Sequence, residues 1–141
     1  MTIRANALVR DAGLVQSIAL PAAAGTVNGL PIDLGDAMTA RGARLADCEL
    51  VLTAPALNTT DLPNTVTAIY AIQGSTTNFG TVVPLATACL TQTGAAGAGA
   101  ALQTWRMKLP SDCPRYIRAS VVTATNAGNC ALKSMELALQ F

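Results

Sequence analysis

Apolar and polar positions alternate with a period of two in four stretches of this chain. Residues 65–73 (TVTAIYAIQ) place Val66, Ala68, Tyr70 and Ile72 on one face, and Ile69 and Ala71 make the other face partly apolar. In 102–109, Gln103, Trp105, Met107 and Leu109 oppose Leu102, Thr104, Arg106 and Lys108. In 115–123, Ile117, Ala119 and Val121 oppose Tyr116, Arg118 and Ser120. The last stretch, 131–141, is the cleanest: Ala131, Lys133, Met135, Leu137, Leu139 and Phe141 share one face, and Ser134, Glu136 and Gln140 dominate the other. Strand side chains point alternately to opposite faces, so each apolar set can line a core. Shorter strand signals lie at 13–20, 30–34, 44–53 and 81–85.

Between these stretches stand clusters of Gly, Pro, Asn and Asp, at 21–29, 55–64, 74–80, 110–114 and 126–129. They are turn chemistry, because Gly and Asn tolerate positive φ and Pro fixes φ. Helical signals are weak. The best is 36–46, with Asp36 as a cap, but Thr39 and Gly42 weaken it and a short turn fits equally well. Many short strands separated by turns predict an all-β fold, a sandwich or barrel of antiparallel sheets. The segment 93–101 (TGAAGAGAA) has no side chain larger than Thr and is expected to be a flexible loop outside the core. Its small residues would also allow close backbone approach to a partner. The segment 54–63 is a second long connection, of the kind that often binds.

At 141 residues the chain is one domain, long enough for its own core. Hydrophobic residues are 51% but aromatics only 4%, so the core is expected to be Leu, Val, Ile and Ala. Charged residues are 12%, about half the usual share of roughly 25%. Nine Lys and Arg against eight Asp and Glu give a formal charge of +1, which lacks the basic footprint of a nucleic-acid binder. There is no His, which removes Ser–His–acid and Cys–His catalysis within the chain and His-based metal sites. No apolar run is long enough for a transmembrane helix. Arg4, Arg10 and the apolar stretch 14–24 imitate a signal peptide, but Asp11, Gln16 and Ser17 interrupt it and no cleaved signal is expected.

Four cysteines, Cys48, Cys89, Cys113 and Cys130, are widely and irregularly spaced, with no CxxC. Two disulfides are permitted, in three connectivities, but four reduced thiols are the favoured reading, with Cys48 in an apolar strand-like segment as a small buried hydrophobe. Asp47 and Glu49 would share a strand face, as a glycosidase-like pair or, more simply, as acids bridged to a neighbouring Arg. Asp33 and Asp36 flank Gly35 without the further ligands of a calcium loop, so a side-chain-capped turn is expected. Gly94, Gly97 and Gly99 do not follow a phosphate-loop spacing. Arg106, Lys108, Arg115 and Arg118, near Trp105 and Tyr116, could bind single-stranded nucleic acid, decorate a solvated face, or form a protein interface. The residues assign no catalytic, metal or cofactor-binding position, and point to a non-enzymatic protein that works through its surfaces.

The layout resembles the capsid cement (decoration) proteins of tailed phages, of the type found on the Bordetella tropism-switching phage. The likeness rests on Ile32-Asp33-Leu34-Gly35, the 44–53 strand, Ile69-Tyr70-Ala71-Ile72-Gln73, and Leu109-Pro110 followed by Arg115-Tyr116-Ile117-Arg118. A terminal alternating strand completes it. The Ala/Gly loop and the four cysteines have no counterpart in that pattern. The resemblance implies a jelly-roll-like β-sandwich, a single domain over 1–141 with a short N-terminal arm at about 1–12. It further implies a homo-oligomer, dimer or trimer, without enzymatic activity or cofactor. Such a protein is made in the host cytoplasm and sits on the outer surface of the virion. There it staples major capsid protein subunits, with no nucleic-acid or membrane partner, and the contacting residues are not assigned by the likeness. The alternative is a secreted or surface β-sandwich that binds carbohydrate or a receptor.

Overall fold

The structure, a computed structural model, describes residues 10–35, 48–110 and 112–140. Among these residues nine strands form in chain order: β1 (Arg10–Ala19), β2 (Gly25–Asn28), β3 (Ile32–Asp33), β4 (Glu49–Ala54), β5 (Thr67–Ser75), β6 (Val83–Thr93), β7 (Gln103–Lys108), β8 (Tyr116–Thr123) and β9 (Ser134–Gln140). No helix occurs among the described residues. The helix-or-turn candidate at 36–46, and residues 1–9 of the expected arm, lie outside them, and residues 10–12 of that arm fall in β1, where Arg10 pairs with Gln140.

Two antiparallel sheets form, ordered β1-β9-β4-β7 and β2-β8-β5-β6, with β3 added beside β8. Leaving out the two-residue β3, the pairs β1·β9, β2·β8, β4·β7 and β5·β6 join first strand to last, second to seventh, third to sixth and fourth to fifth. That is one long antiparallel hairpin rolled over itself, and the rolling brings β4 against β9 and β5 against β8. The molecule is a jelly roll, a double-sheet solution in which two Greek keys share a core.

The period-two patterns explain the packing. Leu50, Leu52 and Ala54 of β4 and Met135, Leu137 and Leu139 of β9 face Ala68, Tyr70 and Ile72 of β5 and Ile117, Ala119 and Val121 of β8, all fully buried. Trp105 and Met107 pack on this core from the edge strand β7, half-buried. The expected inward sets on 65–73, 102–109 and 115–123 are therefore the observed ones. On 131–141 the inward run starts at Met135, because Ala131 and Lys133 belong to the preceding turn.

Three expectations need correction. The turn-like stretch 21–29 contains β2, whose Gly25–Asn28 backbone pairs with 120–123 of β8. In the stretch 30–34 only Ile32 and Asp33 pair as a strand. The strand expected at 81–85 runs as β6 to Thr93, and its alternation is hidden by irregular pairing. Ala71 of β5 faces the three residues 87–89 between Ala86 and Leu90. Ala88 has φ 50°, and Pro84 offers no N–H to the ladder. Bulges and a proline also blunt this exposed edge against pairing with other chains.

Candidate interaction surface

One end of the sandwich is fixed by buried polar and backbone contacts. Gln92, fully buried on β6, donates through Nε2 to the carbonyls of Pro55 and Ala101 at 2.8 Å each, and its Oε1 accepts from the Tyr70 hydroxyl at 2.7 Å. Burial, with Cys130 nearby, pushes the Tyr70 phenol far above its usual range, so it remains a donor. The connection 55–64 is a capped turn. Asn58 Oδ1 accepts from the N–H groups of Thr60 and Asp61, and Asp61 Oδ2 accepts from Asn58 N at 3.2 Å.

Against this turn lies the small-residue segment 93–101. A Cβ at Gly94 would run into the carbonyls of Leu62 and Pro63, and one at Gly99 (φ 65°) into that of Leu57. Leu57 and Ala100 exchange backbone hydrogen bonds at 2.8 Å, and Ala100 joins the core. The close approach these residues permit is thus made to the chain's own 55–64 turn. Contrary to the expectation that the segment stays outside the core, it closes one end of it. An open cleft of about 670 Å³ lies here, lined by Leu57, Asn58, Ala98, Gly99, Gln103 and Lys133 among others. Lys133 is exposed and supplies its only charge.

The singled-out chemistry resolves as follows. Glu49 pairs with Arg106 of the adjacent β7 at 3.0 Å, the simpler of the two readings, and Asp47 lies outside the described residues. Asp33 caps its turn, accepting from Gly35 N at 2.9 Å through Oδ1. The same carboxylate takes Arg115 in a two-point pair at 2.8 and 2.7 Å, which holds the guanidinium pKa above its usual value. Asp36 lies outside the described residues. All four cysteines are thiols; burial raises the pKa of Cys89 and Cys130. Among the described residues no three His, Cys, Asp or Glu side chains gather where they could hold a metal.

The four cations do not gather into one patch. Arg106 and Lys108 stand on the outer face of the β1-β9-β4-β7 sheet, Arg118 is on β8 of the other sheet, and Arg115 lies in the bend just before β8. Arg106 is bonded to Glu49 and Gln140, and Lys108 extends into solvent. Arg118 is different. It is half-buried, its Nε donates to Gln73 Oε1 at 2.9 Å, and its guanidinium lies over the Phe79 ring at 4.0 Å. Among the described residues no carboxylate reaches it.

Phe79 is the surface residue that the sequence did not single out. It sits in the turn 76–82 with φ 67°, after Asn78 at φ 52°, a conformation costly for a bulky side chain. The buried Ser75 Oγ holds it there, accepting from Thr77 N at 3.1 Å and Phe79 N at 2.8 Å. The available signal was a lone aromatic inside a polar turn.

Apart from the Asp33–Arg115 pair and the exposed Asn28 of β2, the rest of the described outer face is apolar or hydroxylic. Ile69 and Val122 lie directly opposite each other on β5 and β8, 37% and 44% exposed. Thr26, Thr91 and the small Ala71 and Ser120 surround them. The chain matches no protein-family model and no curated protein.

Proposed function

We propose that this chain is a capsid cement protein of a tailed phage. It binds the outside of the head and ties major capsid protein subunits together. The observation that carries the reading is the meeting of the two sequence pieces on which the family resemblance rests. β3 pairs with β8 so that Asp33 lies opposite Tyr116, and the Asp33 carboxylate grips Arg115. The pieces 32–35 and 115–118, about eighty residues apart in sequence, thus form one structural unit. A jelly roll with a charge-poor outer face suits a protein whose partner is another protein surface. On an icosahedral head many identical copies act together, so a modest interface per copy sums to strong retention. The copies associate with one another as a homo-oligomer, and the site of action is the virion surface.

The test is to mix the purified protein with expanded shells of the same phage that lack it and to sediment them. Near-stoichiometric co-sedimentation is expected. A protein that stays in the supernatant at micromolar concentration overturns the reading.

A further inference from the structure

We infer that the outer face of the β2-β8-β5-β6 sheet is the surface that docks on the partner protein, with Arg118 as its anchor on a partner carboxylate. The inference rests on the cement-protein reading and names the surface that reading leaves unassigned. Among the described strand residues of this face, Arg118 is the only charge apart from the Asp33–Arg115 pair at its margin. Arg118 is half-buried as a residue, and among the described residues its guanidinium has no counter-ion, which leaves a charge for a partner carboxylate to neutralise. The exposed Lys108 and Lys133 carry no such cost, because water solvates them.

The side chain is also held in place before any partner arrives. Gln73 fixes the Nε edge, Phe79 supports one face of the plane, and both terminal nitrogens are left with no acceptor among the described residues. The turn that supplies Phe79 keeps two consecutive residues at positive φ to do so. A preorganised planar fork matches a carboxylate in two-point geometry and loses little freedom on binding. Along the same face of β8, Tyr116, with Arg115 over its ring, stands two positions from Arg118, and Val122, opposite Ile69, stands four positions away beyond the small Ala71 and Ser120. The face thus offers aromatic and aliphatic contacts around the guanidinium, as in an interface centre, where Lys, Glu and Asp are depleted.

The occupant is a protein other than a second copy docked face to face. The one acid among the described strand residues of this face, Asp33, is already engaged by Arg115, so a two-fold contact of the face with itself would bury two Arg118 guanidinium groups without a carboxylate from these strands. A nucleic acid is disfavoured because a single cation cannot neutralise a run of phosphates.

The experiment measures binding of four proteins to the undecorated shells, each first checked for an unchanged thermal transition. Arg118→Ala should weaken binding roughly 30-fold or more. Val122→Asp, at an exposed strand position that does not endanger the fold, should do the same. The double variant Arg106→Ala/Lys108→Ala, on the opposite face, should bind within about threefold of the parent. Folded Arg118→Ala and Val122→Asp proteins that bind as the parent does would overturn this assignment while leaving the cement-protein reading intact. Failure of the parent itself would overturn both. Loss of self-association instead of shell binding in Val122→Asp would assign the face to a second copy and overturn the inference as well.

Discussion

The two outer faces of this sandwich are built from strands of the same period and yet are different surfaces. On the β1-β9-β4-β7 sheet, Glu49, Arg106, Lys108 and Glu136 point outward, and Glu49 and Arg106 pair across strands. Those charges border a covered centre, where the outward Val51 and Ala138 are buried. On the β2-β8-β5-β6 sheet the described outward residues are threonines, Asn28, Gln73, Ile69, Val122, Tyr116 and the Arg118 guanidinium, which no carboxylate among the described residues reaches, with the Asp33–Arg115 pair at the margin. Both faces leave the core complete, because the inward sets alone supply it. The outward positions are therefore chosen for something other than folding. One set suits water, and the other suits a protein partner.

Changes in the frame that both faces share should have the largest effect and remove both together. Gly94→Ala forces a methyl group into the carbonyls of Leu62 and Pro63, and overpacking of this kind should cost about 3 kcal/mol. Urea unfolding should show the midpoint falling with the slope unchanged; a loss below about 1 kcal/mol would mean the 55–64 turn can move aside. Gln92→Leu strands the Pro55 and Ala101 carbonyls and the Tyr70 hydroxyl, and should cost about 2 kcal/mol. If Tyr70→Phe is then added, most of its own cost should already be spent, as in a coupled pair.

Alkaline pH acts on the same frame. The thiols of Cys89 and Cys130 and the Tyr70 phenol have pKa values raised by burial, so the folded chain keeps protons that the unfolded chain releases. Their contribution is fully present below the unfolded values, 9.0 for the thiols and 10.0 for the phenol. Stability should therefore be level from these groups at pH 7–8, decline above about pH 9, and decline more steeply above about pH 10. Chemical unfolding at pH 7.5, 9.5 and 10.5 measures this, and Cys89→Ala/Cys130→Ala should flatten the first part of the decline. The smallest effect belongs to the charged face. Breaking the exposed Glu49–Arg106 pair by Glu49→Gln should cost less than about 1 kcal/mol and less still in high salt.

Much of the frame was legible because it obeys a simple period. Tyr70, Ile72, Ile117 and Leu137 could be placed inward from alternation alone. β6 could not be followed because its bulges, Pro84 and Ala88 break that period, and β2 was hidden by the glycines at each end of TVN. The capping role of Asp33 was legible from its place before Gly35. Its grip on Arg115, 82 residues away, depends on long-range register, which no local pattern carries. The cations illustrate the same limit. Arg106, Lys108, Arg115 and Arg118 are close in sequence, but the turn at 109–115 sends them to different sheets. The Phe79–Arg118 stack was unreadable, since it needs a positive-φ turn folded over a strand.

The central claim is that the charge-poor sheet meets the viral shell. A density map of expanded shells decorated with this protein tests it most directly. The expected map has β2, β8, β5 and β6 lying on the shell, with Arg118 against a carboxylate of the major capsid protein and the Arg106–Lys108 face turned to solvent. A map with the charged face seated on the shell, or with no bound protein at saturating concentration, would contradict it.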